Sequence, residues 1–172
     1  LAVQALLPEL PEITALVVGE GQDRPALQQL SEQLGLAERV SFSGWVAPDQ
    51  VGAYLAAGDV FVGPSRQEGQ GLSFIEAMVA GTPVVATRVG GIVDSVSDGE
   101  TGLLVAERSP GAIADAVRRL VADRALAARL SRQGYALAST TFSRPASTAA
   151  FDRLFRQLPH NRRPAINPRP SD

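Results

Sequence analysis

Cysteine and lysine are both absent from the 172 residues, histidine and tryptophan occur once each, and aromatic residues make up only 5% of the chain. Without cysteine there is neither a disulfide framework nor a thiolate metal site. That fits a reducing compartment, and a cytoplasmic location is expected. The one histidine, His160, sits in a Pro- and Arg-rich stretch. A histidine metal cluster and a histidine-dependent catalytic triad are therefore excluded within this chain. All 16 basic residues are Arg, so the Lys of a Walker-type phosphate loop is missing. No apolar run approaches the roughly 20 residues of a membrane span. The net charge of −2 leaves no electrostatic footprint for nucleic acid, and no nucleic-acid partner is expected.

What is present suits a globular α/β chain. Hydrophobic residues make up 45% and charged residues 20%, and a chain of this length buries roughly 70% of its unfolded surface. "LAVQALLPEL" reads as the end of a helix stopped near Pro11. Short apolar runs at 13–19, 39–46, 59–64, 83–89 and 101–105 read as strands. Helical spacing or helix-start and helix-stop residues mark 24–35, 48–58 and 72–81, with one or two helical turns at 90–96. Strands alternating with helices of about ten residues imply an open parallel sheet with helices on both faces. Apolar strands such as "ALVV" and "PVVA" fit burial on both sides. Three amphipathic helices follow at 110–123, 124–139 and 145–158. The expected domain is 1–158, and "HNRRPAINPRPSD" within 159–172 reads as a disordered Pro/Arg-rich tail.

Glycine follows almost every strand: Gly19 and Gly21, then Gly44, then Gly69 and Gly71, then Gly90 and Gly91. Parallel strands end on one edge, where open α/β sheets bind ligands. Helix N-termini at that edge offer free N–H groups and about half a positive charge, which makes an anion site without Lys. Tight turns alone would also use glycine. In this same stretch stand Glu68 and Glu76, eight positions apart. A bare phosphate site repels carboxylates; a ligand carrying both anionic and hydroxyl groups would use both features. A nucleotide-sugar is such a ligand. The competing reading of Glu76 is a capping box, with Ser73 as N-cap and Glu76 at N3. The competing reading of Glu68 is a solvated loop charge.

The stretch "EGQGLSFIEAMVAGTPVVATRVGGIVDSVSDGETGLLV" resembles the C-terminal signature of family 4 glycosyltransferases of the GT-B fold, whose pattern is E-x7-E, EAM-x-x-G-x-PVVA, GG-x-x-E and G-x-x-G. "ALVVGEGQDRPALQQLSEQLGLAERVSFSGWV" resembles the segment upstream of it, so the similarity runs from about residue 3 to about residue 156. The resemblance implies a Rossmann-like domain, the C-terminal half of a GT-B fold, and a retaining transfer of sugar from a nucleotide-diphosphate donor without a metal. It assigns Glu68 as the catalytic residue near the donor-sugar hydroxyls and Glu76 to the ribose. Gly69, Gln70 and the amides of Gly71, Leu72 and Ser73 would face the diphosphate and sugar. Gly19 would let the backbone approach the diphosphate, and the backbone at Val46 would meet the nucleobase. Two positions depart from the pattern: Gln70 replaces the usual aromatic, and Asp94 replaces the acid of GG-x-x-E.

The same resemblance implies that the chain is one half of a two-domain enzyme and starts late in its first βα unit. The acceptor-binding N-terminal domain and a basic diphosphate clamp would then lie outside it. The helix at about 145–157 would cross back toward that domain, and the isolated chain would bind donor weakly and turn over little. Peripheral membrane association of the full-length enzyme is left open. Two other readings compete. One is a non-catalytic nucleotide-sugar-binding or protein-interaction module using the Arg-rich helices at 110–139. The other is a nicotinamide enzyme, disfavoured because "GEG" lacks a third glycine and no acid ends the next strand.

Overall fold

A computed structural model describes residues 1–157. The tail expected at 159–172 lies outside the described residues. Strand and helix alternate as the apolar pattern dictates. The helices are α1 (Ala2–Leu6), α2 (Arg24–Gln33), α3 (Pro48–Ala57), α4 (Leu72–Val79), α5 (Ile92–Ser95), α6 (Pro110–Ala122), α7 (Arg124–Thr141) and α8 (Arg144–Gln157). The strands are β1 (Ala15–Val18), β2 (Val40–Gly44), β3 (Phe61–Gly63), β4 (Val84–Thr87) and β5 (Leu103–Val105). Every pairing of named strands is parallel. The strands divide into a pair, β1–β2, and a triplet in the order β3–β4–β5.

The centre of the triplet is the best-buried part of the chain. All four residues of β4 are buried, and successive side chains of a strand point to opposite faces. Val85 enters a cluster with Leu6, Leu103, Leu120 and Leu130, which brings in α1, α6 and α7. Val84 and Ala86 enter the opposite cluster with Phe74, Ile75, Met78 and Ile92, which brings in α4 and α5. Burying a side chain such as Phe74 or Met78 contributes roughly 2 kcal/mol. α7 reaches α4 through Gly134: a Cβ there would stand 3.0 Å from Met78 Cγ and 3.2 Å from the Thr101 carbonyl oxygen. The starts of α6 and α7 are capped in the ordinary way. Ser109 Oγ accepts from the Ala112 N–H, and Asp123 Oδ1 accepts from the Leu126 N–H at 2.9 Å.

β1 departs from the expectation of a strand covered on both sides. Leu16, Val17 and Val18 remain 50%, 38% and 44% exposed. The physical reason is local. β1 pairs with β2 alone, and the helix between them leaves its own Leu27 and Leu30 46% and 40% exposed. A continuous apolar run therefore describes β4 correctly and β1 only in sequence. At the other end of the chain α8 shows Phe151, Leu154 and Phe155 to solvent, with the two rings stacked at 6.5 Å.

Candidate functional site

The loop between β3 and α4, residues 64–71, holds Glu68, Gly69, Gln70 and Gly71, and the helix that follows holds Leu72, Ser73 and Glu76. Gly71 adopts the left-handed conformation, φ 73 and ψ 55, and is the N-cap of α4. The Phe74 ring, fully buried, fixes that turn from beneath. A Cβ at Gly71 would come within 2.6 Å of Phe74 Cδ2, and one at Gly63 would run into the same ring. Phe61 meets Phe74 edge-to-face at 5.4 Å. Two glycines thus let the helix start lie against the end of β3.

Glu68 Oε1 accepts from the N–H groups of Gly69 and Gly71, each at 3.2 Å. Its carboxylate is folded over the loop rather than free in solvent. Leu72 and Ser73 form the exposed first turn of α4. Among the described residues their N–H groups meet no acceptor, as expected for the first turn of any helix. Glu76 lies one turn further on, exposed. It borders a shallow, largely apolar groove of about 280 Å³ with Pro48, Val51, Gly52, Ile75 and Val79.

The capping box does not form. The N-cap is Gly71, and no side-chain cap bond is made there. Ser73 is already inside the helix and Glu76 stands at its fifth position, because the left-handed turn at Gly71 starts α4 two residues before Ser73. Helix capping therefore does not account for Glu76.

The second group of residues lies at the ends of β1 and β2. Gly19, at φ 124, donates its N–H to the Gly44 carbonyl at 2.9 Å, and a Cβ on it would meet nothing within 4 Å. Val46 is half-buried two residues past Gly44. Arg24 is engaged by Glu20 and reaches the Phe42 carbonyl at 3.4 Å. No hydrogen bond of the described residues joins this group to the Glu68 loop; the groove beside Glu76 is lined by Pro48, two residues past Val46 in sequence. Arg66, in the loop itself, is exposed and forms no ion pair among the described residues. Within the same residues no three acidic or His side chains gather closely enough to hold a metal ion.

Sequence reasoning missed the support of the loop. Three donors from the β4–α5 segment grip its carbonyls. Thr87 Oγ1 donates to Ser65 at 2.6 Å, the Gly91 N–H to Glu68 at 3.1 Å, and Ser95 Oγ to Gln70 at 3.0 Å. A Cβ on Gly90 would collide with the Glu68 carbonyl, and one on Gly91 with that of Gly69. The available signal was modest: a hydroxyl ending an apolar strand in "PVVAT" and another in "IVDS".

Comparison with known proteins bears on this geometry. Residues 1–123 match the family model described as glycosyl transferases group 1. The lipopolysaccharide core biosynthesis glycosyltransferase LpsE of Rhizobium meliloti is 38% identical over 150 residues, covering 87% of this chain and 44% of LpsE. The chain thus spans under half the length of that relative. Anabaena Alr3699/HepE, solved in complex with UDP, superposes with a TM-score of 0.82 at 28% identity, over 91% of this chain and 44% of HepE. The C-terminal domain of the group 1 glycosyl transferase LpcC from Francisella tularensis superposes with a TM-score of 0.75 at 32% identity, over 83% of this chain and 76% of that one.

Proposed function

The chain belongs to the group 1 glycosyl transferases, and from that premise we propose that it is the donor-binding half of a retaining enzyme that moves a sugar from a nucleotide diphosphate to an acceptor. One observation carries the reading. The unpartnered N–H groups at the start of α4 stand between two carboxylates, Glu68 in the loop and Glu76 one turn on. Transfer breaks the bond from the sugar C1 to the diphosphate oxygen, which keeps the electron pair, while an acceptor hydroxyl oxygen forms the new bond to C1 and its proton passes to the diphosphate. N–H groups fixed in advance stabilise the charge developing on the diphosphate oxygen without reorganising. Glu68 accepts hydrogen bonds from hydroxyls of the transferred sugar, and Glu76 from those of the ribose. Gly19 offers open backbone to the diphosphate, and Val46 offers backbone to the base. On this reading no metal is needed.

The acceptor site belongs to the expected N-terminal domain, for which the exposed Phe151, Leu154 and Phe155 of α8 supply an apolar landing. Among the described residues no helix is long and apolar enough to cross a membrane. The structure of HepE in complex with UDP supports a nucleotide as the ligand class here.

Calorimetric titration with UDP, GDP, ADP and their sugar conjugates tests the proposal. Saturable binding of one nucleotide, weakened by Glu76→Ala, is expected. Full function of a Glu68→Ala, Glu76→Ala protein in its complete genetic context would favour a non-catalytic interaction module instead.

A further inference from the structure

The 64–71 loop has no buried apolar side chain to anchor it: Pro64 is exposed, and the rest read Ser, Arg, Gln, Glu, Gly, Gln, Gly. Three glycines or small residues and four long polar ones would leave such a segment mobile on its own. Something outside the loop sets its shape. The donors that do so come from one short stretch, residues 87–95, and they take the loop at its entry, middle and exit: Ser65, Glu68 and Gln70. Two of the three are side-chain hydroxyls, and both are 1% exposed.

We propose that Thr87 and Ser95 are positioning residues that hold the Glu68 loop in its ligand-ready shape; this rests on the reading of that loop as the donor site. The chemistry of each position supports the role. Thr87 ends a strand buried on both faces, where a hydroxyl needs a partner. It finds Ser65 at 2.6 Å, with the Gly63 carbonyl further off at 3.4 Å. A helical serine commonly bonds back to its own helix. Ser95 instead donates outward to the Gln70 carbonyl, one residue before the left-handed Gly71.

Between these two anchors Gly91 lies so close to the loop that only backbone fits. Its N–H then takes the Glu68 carbonyl while the Glu68 carboxylate takes the N–H groups of Gly69 and Gly71. The main chain of Glu68 is held from one side and its side chain curls back on the other. The two hydroxyls thus act on the direction of that carboxylate through the loop's main chain, bonding carbonyls on either side of Glu68.

Amide hydrogen exchange on the 172-residue chain tests this without needing a ligand. Thr87→Val and Ser95→Ala should speed exchange at Gly71 and Gly91 about tenfold or more, while Leu130 in α7 stays as slow as before. Thr87→Ser, which keeps the hydroxyl, should restore protection. Thr82→Val is the control, because Thr82 is equally buried but bonds the Leu55 carbonyl at 2.7 Å, away from the loop. Unchanged exchange in both variants, or equal acceleration in Thr82→Val, overturns the proposal.

A parallel titration uses UDP-glucose, GDP-mannose and ADP-glucose, each beside its free diphosphate. For the conjugate that binds, Thr87→Val should weaken the nucleotide-sugar about tenfold and the free diphosphate much less. Loosened loop amides with equal weakening of both ligands would overturn the positioning role. Loosened amides together with no binding of any of the three by the full-length enzyme would uphold the grip on the loop and overturn the donor-site reading beneath it.

Discussion

The ring of Phe74 lies directly against the α-carbon of Gly71, so that a single methyl group on that glycine would come within 2.6 Å of ring atom Cδ2. The start of α4, and with it every free N–H group of the site, is seated on this contact. Gly71→Ala should therefore cost stability twice. The left-handed φ of 73 costs an ordinary residue roughly 1–2 kcal/mol, and overlap with the ring adds strain of about 1 kcal/mol or more. Urea unfolding should show a lower midpoint at unchanged slope.

Glu76→Ala separates two roles cleanly. The residue is exposed, and the start of α4 is not capped by any side chain. Its removal should change stability by less than about 0.5 kcal/mol, where loss of a capping box would cost about 1 kcal/mol. Nucleotide affinity should nevertheless fall about tenfold, the effect of deleting a charged hydrogen-bond acceptor. Thermal melts and titrations on one protein sample measure both.

Gly134→Val probes the seam between α7 and α4. The new Cβ would press on Met78 Cγ, which is packed in the buried cluster, and on the Thr101 carbonyl. A loss of about 1–3 kcal/mol is expected. Far-UV circular dichroism during denaturation checks it, and Gly111→Ala, at a helical position where a Cβ meets nothing within 4 Å, serves as the neutral or stabilising comparison.

Native-state hydrogen exchange should rank the strands. Amides of β4, buried on both faces, should exchange near the global unfolding free energy. The Val17 amide, in a strand that is 38–50% exposed over three residues, should be less protected by roughly 2 kcal/mol. Equal protection in both strands would contradict the burial difference.

Much of this architecture is legible in the residues themselves. Alternation of apolar strands with helices of about ten residues shows a parallel α/β chain, and "PVVA" is buried on both sides as its composition suggests. The same rule misleads at "ALVV", because a local pattern reports what a strand could bury and not what lies beside it. Ser73-x-x-Glu76 shows the limit at closer range. The spacing fits a capping box, yet the left-handed turn two residues earlier, seated on Phe74, begins the helix first. That turn depends on a ring three residues ahead and a strand end at Gly63, so no window on the local sequence contains it. Thr87 and Ser95 escape for a similar reason: each acts on a carbonyl more than twenty residues away.

The division of the strands into a pair and a triplet also sorts the proposed ligand contacts by how firmly they are built. Glu68 and Glu76 belong to the deeply packed part, while Gly19 and Val46 belong to the thinly packed β1–β2 part. A ligand touching both would act as a splint across a two-tier molecule. At free ligand a hundredfold above Kd, linkage adds about 2.7 kcal/mol to whatever unfolding breaks the site, which is enough to carry the weaker tier up to the stronger. The gap in protection between β1–β2 and β4 should then narrow when such a ligand binds.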